Sequence, residues 1–263
     1  MTSSNSKANK GASRSVANPN SSGSKGFWVA LSALVLIGAL VIGLIVYNGR
    51  GAQADRIAEK VQPVEGVSME LTDNIITLSA APSEGEDAAE STKEAKEAGI
   101  YEDLACHYCA ELAKATDDDM LAKIKAGDLK VNIHPLTFLD GTAERYSPNR
   151  STHSLAAVLA LADKGEVEAY WNLRKILLEQ QDTLYTGTDD NKLADLAREV
   201  GASKGAVEAI RNGEYLERAK EIGDANQEDL VDKTGQLSSP RVLVDGKDVD
   251  SDPLENWITD LFS

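Results

Sequence analysis

Cysteine, histidine and basic residues are all scarce in this sequence. The chain of 263 residues contains two cysteines and three histidines. A small fold held together by disulfides is excluded, because a chain of this length buries a sizeable core without them. Lys and Arg number 27 against 43 Asp and Glu, which gives a net charge of −16. Such an acidic surface repels phosphate backbones, so we do not expect nucleic acid as a partner.

Charge is absent from one long apolar run, residues 27–47, "FWVALSALVLIGALVIGLIVY". Its 21 residues suffice for a helix that crosses the hydrocarbon core of a bilayer, so the sequence predicts a transmembrane helix here. Residues 1–26 are rich in Ser and Asn and carry four basic residues but no acid, which predicts a disordered tail on the cytoplasmic side. We therefore expect a single-pass protein of the cell membrane with its C-terminal body outside.

A second interpretation of the same segment is a cleaved signal. Ala52-Gln53-Ala54 has the small-residue spacing of a signal peptidase site. The apolar run is longer than most signal peptide cores, which favours retention over cleavage after Ala54. Both outcomes export the body and bring its cysteines into an oxidising compartment.

The remainder divides into a polar linker, residues 48–64, and a body, residues 65–263. Alternating apolar runs on both sides of Thr72-Asp73-Asn74 predict a β-hairpin. The acidic stretch 83–99 predicts a solvated loop or a marginal surface helix. A short strand is predicted over 99–104, and helical spacing begins at Cys106.

Further along, "LKVNI" predicts a second strand that ends near Pro135. Residues 152–232 then show helical spacing almost throughout, with Ser203 as an expected N-cap and Gly201 and Gly213 near expected helix ends. The chain returns to a strand at "RVLV" and turns at Asp245-Gly246. A closing helix is predicted with Asp252 as N-cap and Pro253 in its first turn.

Both cysteines lie in "YEDLACHYCAEL", residues 101–112. Two cysteines this close gain little as a structural bridge, so redox chemistry or metal binding is the better interpretation. A structural zinc site with His134 and His153 is disfavoured, because the spacing fits none of the usual zinc patterns. The run Asp117–Asp119 predicts a helix N-terminus rather than a calcium loop.

"YEDLACHYC" at 101–109 and "SSPRVLVDGKDV" at 238–249, separated by a helical block, resemble the DsbA-like form of the thioredoxin-like fold. The nearest subgroup is similar to the exported, membrane-anchored DsbA-like oxidoreductases of Gram-positive actinobacteria. The resemblance implies an α/β thioredoxin-like fold over residues 65–263, with an inserted helical domain at about 146–234 and one N-terminal transmembrane helix before it.

The positions of the two cysteines relative to the predicted helix assign each a role in disulfide exchange. A cysteine in the first turn of a helix is stabilised as a thiolate by unpaired backbone N–H groups and by the helix dipole, so Cys106 is the predicted nucleophile. Cys109, one turn along, is predicted to resolve the mixed disulfide. His107 stabilises the Cys106 thiolate when protonated, or is simply an exposed histidine. Tyr108 is expected to line a substrate groove.

The resemblance also implies that Pro240 is a cis-proline facing the cysteines. Its cis geometry exposes the backbone of Ser239 to pair with an extended substrate. Glu102 and Asp103 are interpreted as strand-end charges, with proton transfer to Cys109 as the alternative.

These features predict an exported thiol–disulfide oxidoreductase that introduces disulfide bonds into secreted proteins. The expected partners are reduced or unfolded secreted proteins and, from the resemblance, a membrane reoxidant of the DsbB-like or VKOR-like type. No cofactor is expected, and the chain is expected to be a monomer. The alternatives are a disulfide isomerase or reductase of the same fold, or a redox-inactive binding or chaperone-like module.

Overall fold

The computed structural model describes residues 61–82, 94–181 and 189–263, together with Ser32. The predicted tail at 1–26, the predicted transmembrane helix at 27–47 and most of the linker lie outside these residues, as does the acidic segment 83–93. The chain separates into two units, Met1–Gln53 and Ala54–Ser263. Within the described residues, no helix is both long enough and apolar enough to cross a bilayer.

A six-stranded sheet lies at the centre of the second unit, in the order β1-β2-β4-β3-β5-β6. Strands β3 and β4 are parallel, and every other neighbouring pair is antiparallel. The bounds are β1 Val67–Thr72, β2 Ile75–Ala80, β3 Lys96–Asp103, β4 Leu129–Leu136, β5 Arg241–Val244 and β6 Lys247–Asp248.

Seven α-helices lie in the described part of the chain, five of them between β4 and β5. Their bounds are α1 His107–Lys125, α2 Arg150–Ala162, α3 Val167–Glu179, α4 Asp190–Glu199, α5 Lys204–Arg211, α6 Leu216–Thr234 and α7 Trp257–Leu261. The sheet is covered on both faces: Ile100 and Ile133 pack with α1 in the main core, whereas Tyr101 and Leu136 point the other way, towards Leu230 of α6.

Several local features of these elements agree with the predictions from the sequence. Asp73 and Asn74 form the two-residue turn between β1 and β2, both with positive φ (49° and 70°), as the hairpin prediction requires. The Ser203 side chain accepts a hydrogen bond from the Ala206 N–H at 3.2 Å and so caps α5. Trp171 and Trp257 are buried in the core, as their helical spacing predicts.

Strand β4 ends at Leu136, one residue after Pro135, near the predicted end. Its ladder with β2 has already ended at Ile133, and Pro135 pairs only with Glu102 of parallel β3. The predicted start of the closing helix is wrong. The closing helix does not begin at Asp252. The Asp252–Pro253 peptide is cis, a 3₁₀ turn occupies Leu254–Asn256, and α7 follows with Asn256 as its N-cap.

Two further segments predicted to be polar and irregular belong to the folded body. Residues 96–99, at the end of the predicted loop, are the first half of β3. At the end of the predicted linker, Val64 is 2% exposed and joins the core. The Gln62 N–H donates to Asn172 Oδ1 of α3 at 2.8 Å, which fixes this part of the chain against the helices.

Helix α6 approaches the end of β4 so closely that only glycine fits at position 223. A Cβ on Gly223 would lie 2.2 Å from Thr137 Oγ1 and 3.0 Å from Thr137 Cβ. Gly223→Ala should therefore lower the free energy of unfolding by about 1–3 kcal/mol through overpacking. In contrast, Gly205→Ala in α5 meets no atom closer than 4.0 Å and should be neutral or stabilising by about 0.4–1 kcal/mol. Urea unfolding of both variants tests this, and equal stabilities would contradict the packing described.

Candidate active site

Cys106 lies at the junction between β3 and α1. Strand β3 ends at Asp103, and a short loop leads to Cys106, which is the N-cap of α1 with extended backbone angles. The Cys106 N–H donates to Asp103 O at 2.9 Å, which turns the chain into the helix. The sulfur therefore lies at the positive end of α1, whose first turn holds no acidic side chain to oppose it.

The two thiols have opposite electrostatic environments. A hydrogen bond from the Cys109 thiol, together with Ser239 and the backbone N–H groups of Cys109 and Tyr108, lowers the pKa of Cys106 to about 6 despite partial burial. Burial raises the pKa of Cys109 well above its ordinary value, and its hydrogen bond to Cys106 raises it further. Cys106 is thus a thiolate near neutral pH, whereas Cys109 keeps its proton.

Pro240 and Ser239 face this pair from the start of β5. The Ser239–Pro240 peptide is cis, the geometry that the family resemblance implied. The Ser239 carbonyl oxygen lies 3.5 Å from the Cys106 sulfur and accepts a hydrogen bond from it when the thiol is protonated. Pro240 and Cys109 both line a small cavity of about 10 Å³ beneath the pair.

His107 and Tyr108, the two residues between the cysteines, face solvent. His107 Nε2 lies 3.2 Å from Glu111 Oε1, one turn along α1, and its side chain is 72% exposed. The electrostatic role proposed for His107 therefore stays a prediction. Tyr108 is 67% exposed, so its role in a substrate groove also stays a prediction.

A buried ionic cluster lies beneath Cys109, and no motif or spacing in the sequence predicts it. Arg174 of α3 forms two hydrogen bonds to Glu102, from Nε at 2.7 Å and from Nη2 at 2.6 Å. Its Nη1 donates to Asp117 Oδ2 at 2.8 Å. All three side chains are almost fully buried. Burial raises the pKa of Asp117 to about 6, although the Arg174 charge opposes this shift.

The cluster bears on two predictions. Glu102 lies at the end of β3, as predicted, but it is buried, because the inserted helices cover this end and supply Arg174 as its partner. Asp117 does not begin a helix, since it lies in the middle of α1 and points inward. The negative charge of Glu102 also contributes to the raised pKa of Cys109.

Asp103 is also buried rather than exposed. Its carboxylate accepts hydrogen bonds from the backbone N–H groups of Ala105 at 2.9 Å and Leu139 at 3.3 Å. Burial raises its pKa to about 7, even though these hydrogen bonds lower it. Asp103 therefore fixes the loop that leads to Cys106.

Gln181 is a further neighbour of this loop that sequence reasoning missed. Its Nε2 group donates to Cys106 O at 2.9 Å and to Leu104 O at 3.2 Å. Gln181 follows α3, and no sequence signal distinguishes it from the other polar residues at the end of that helix.

The other two histidines lie away from the cysteines. His134 stacks on Tyr101 with ring centroids 4.2 Å apart, on the face of the sheet that α6 covers. His153 Nδ1 lies 2.6 Å from Asp190 Oδ1, within the helical insertion.

Comparisons with known proteins agree with this geometry. The thioredoxin family model matches residues 88–260. MdbA, a thiol-disulfide oxidoreductase from Corynebacterium diphtheriae, is 35% identical with a TM-score of 0.69, covering 77% of this chain and 97% of its own. MdbA from Corynebacterium matruchotii is 31% identical with a TM-score of 0.70, covering 80% of this chain and 98% of its own.

A curated relative shares only part of its length with this chain. The serine/threonine-protein kinase PknE of Mycobacterium tuberculosis is 27% identical over 125 residues. The match covers 46% of this chain and 22% of the kinase, so the chain spans about a fifth of that relative.

The fold, the Cys106–Cys109 pair and the facing cis-proline define a thioredoxin-fold redox protein. The chain belongs to the thioredoxin family, and within it to the DsbA-like thiol–disulfide oxidoreductases.

The asymmetry of the two thiols predicts a specific alkylation pattern. In the reduced protein, iodoacetamide should modify Cys106 with a midpoint near pH 6 and leave Cys109 unmodified. The unfolded-state pKa of a thiol is about 8.5. The thiolate therefore stabilises the reduced fold fully above that pH, and the contribution is lost as the pH falls through 6. Peptide mapping after alkylation checks this pattern, and a Cys106 midpoint above pH 8 would contradict it.

The ionic cluster predicts a large cost for removing its cation. Arg174→Met leaves Glu102 and Asp117 buried without a partner and should lower the free energy of unfolding by about 3–5 kcal/mol. The control is Lys175→Ala on the same helix. Lys175 pairs at 3.0 Å with the exposed Asp118, so its loss should cost less than about 1 kcal/mol. Similar losses in the two variants, measured by urea unfolding, would show that the cluster is not buried.

Proposed function

We propose that this protein donates disulfide bonds to secreted proteins outside the cell membrane. The observation that carries the proposal is the asymmetric cysteine pair, in which Cys106 is stabilised as a thiolate and Cys109 is kept protonated. Stabilising the reduced form of the pair makes its disulfide a stronger oxidant. A thiol pKa of about 6 lies between the values typical of thioredoxin, about 7, and of DsbA, about 3.5.

The first step is attack of a substrate thiolate on Cys106 Sγ of the oxidised pair. A bond forms between the substrate sulfur and Cys106 while the bond between Cys106 and Cys109 breaks. Cys109 leaves as a thiolate and takes up a proton, because burial makes its charged form unfavourable. This proton uptake drives the pair towards the mixed disulfide.

The second step releases the oxidised product. A second substrate thiolate attacks the substrate sulfur of the mixed disulfide, a disulfide forms within the substrate, and Cys106 leaves as a thiolate. The low pKa of Cys106 makes it a good leaving group. The substrate loses two electrons and both enzyme cysteines end reduced.

The surface around Cys106 suits an extended, partly apolar polypeptide. The backbone at Ser239, beside the cis-proline, is able to pair with an extended chain as an added strand. Tyr108 and Leu139 are exposed apolar side chains. The Leu139 N–H donates to Asp103, which precedes the redox loop, residues 104–106. Unfolded secreted proteins present such segments.

The proposed location of the protein rests on the apolar run at 27–47, and the need for a reoxidant rests on the reaction itself. An N-terminal membrane anchor at 27–47 would hold the redox body outside the cell, where reduced secreted proteins emerge. A membrane protein of the DsbB-like or VKOR-like type would then reoxidise the pair, since the reaction leaves it reduced.

The test is stoichiometric oxidation of a reduced, unfolded secreted protein by the oxidised full-length chain. One substrate disulfide should form for each enzyme disulfide consumed, as counted by thiol alkylation and mass spectrometry. Cys106→Ser should abolish the reaction. Cys109→Ser should be unable to form the oxidised pair.

Two other outcomes would contradict disulfide donation. Rapid rearrangement of a scrambled substrate without net oxidation would replace the proposal with an isomerase. Failure of the wild-type chain to exchange disulfides at all would favour a binding role for the fold.

A further inference from the structure

The helical insertion contacts the redox loop through one buried amide. Gln181 lies two residues beyond α3 and is 8% exposed. Its Nε2 group donates to two carbonyl oxygens of the loop, Leu104 O at 3.2 Å and Cys106 O at 2.9 Å. One side chain of the insertion thus contacts the backbone of the nucleophilic cysteine itself.

The same loop is held from the other side by Asp103, whose carboxylate accepts the Ala105 N–H at 2.9 Å. Cys106 O also accepts the Ala110 N–H at 3.2 Å, in the first turn of α1. Gln181 therefore shares an acceptor with the helix that stabilises the thiolate. The Leu104–Ala105 peptide group thus has partners from two different parts of the fold, Gln181 at its carbonyl oxygen and Asp103 at its N–H.

These contacts bear on the charge of Cys106. Carbonyl oxygens carry partial negative charge, and those next to a thiolate oppose it. A donor bound to them draws their charge away from the sulfur and also fixes the sulfur relative to the N–H groups of α1. Hydrogen bonds inside a protein act in a medium of low dielectric constant, which strengthens both effects.

We propose that Gln181 is a positioning residue for Cys106, through which the helical insertion sets the redox poise of the pair. Gln181 does not contact the reacting sulfur and acts through the backbone of the loop. The inference rests on the proposed function only in requiring a redox-active pair. It holds whether the pair donates, isomerises or reduces disulfides.

The test compares Gln181→Ala with the wild type in the full-length chain. Two quantities are measured: the alkylation midpoint of Cys106, and the equilibrium constant for reduction of the pair by glutathione. Gln181→Ala should raise the midpoint and lower the equilibrium constant about threefold to tenfold. A tenfold change corresponds to about 30 mV towards a more reducing pair.

Asn172→Ala is the matched control. Asn172 is likewise a buried side-chain amide, and it lies within α3. It donates to Gln62 O at 3.0 Å and to Glu168 O at 2.9 Å, away from the cysteines. Its loss should reduce stability without moving the alkylation midpoint or the equilibrium constant. This control separates positioning from a general effect on folding.

Gln181→Met and Gln181→Glu allow the same test if the Gln181→Ala variant does not fold. Met keeps the volume and lacks the donor, so it should behave like Ala. An ionised Glu faces two carbonyls and should raise the midpoint further. A folded Gln181→Ala or Gln181→Met variant with wild-type midpoint and equilibrium constant overturns the proposal.

Failure of all three variants to fold, with Asn172→Ala folded, would make Gln181 a structural residue and also overturn the proposal. A wild-type chain that exchanges disulfides without donating them refutes the proposed function alone.

Discussion

Stabilisation of one thiolate at the start of α1, beside a second thiol that stays protonated, is the constraint on which the structure depends. Three elements must meet for it to hold: the end of β3, the first turn of α1 and the cis peptide before β5. The sheet order brings them together, because β3 lies directly between β4 and β5. Cys106 and Ser239 are far apart in sequence, yet Ser239 contributes to the lowered pKa of Cys106.

The helical insertion packs over the redox site and also contributes side chains to it. It supplies Arg174 to the ionic cluster beneath Cys109 and Gln181 to the loop before Cys106. Buried ion pairs are costly to desolvate and contribute little net stability, although breaking one by removing a partner is strongly destabilising. The negative charge of Glu102 is also one of the causes that raise the pKa of Cys109.

The parts of the fold that were predicted correctly rest on local signals. The β1–β2 hairpin follows from its turn residues, the helices from their apolar spacing, and the placement of Cys106 from its position at a helix start. The burial of Glu102 and Asp103 was not predicted, and Asp117 was wrongly placed at a helix N-terminus, because the burial of a charged residue depends on partners distant in sequence. Arg174 is 72 residues from Glu102 and 57 from Asp117.

Pro135 was expected to stop a central ladder, and the ladder between β2 and β4 does end at Ile133, two residues before it. Gln181 was missed because hydrogen bonds to loop carbonyls leave no periodicity or motif in a sequence. The family resemblance covers the cysteines and the cis-proline, whose motifs are local, and gives no indication of these supporting contacts.

The most direct measurement is the reduction potential of the Cys106–Cys109 pair in the full-length chain, equilibrated in glutathione buffers at pH 7 and read by thiol alkylation. Thioredoxin lies at about −270 mV and DsbA at about −120 mV. The stabilised Cys106 thiolate predicts a value clearly more oxidising than that of thioredoxin. A value at or below −270 mV would contradict it, because the pair would then favour its disulfide form and act as a reductant.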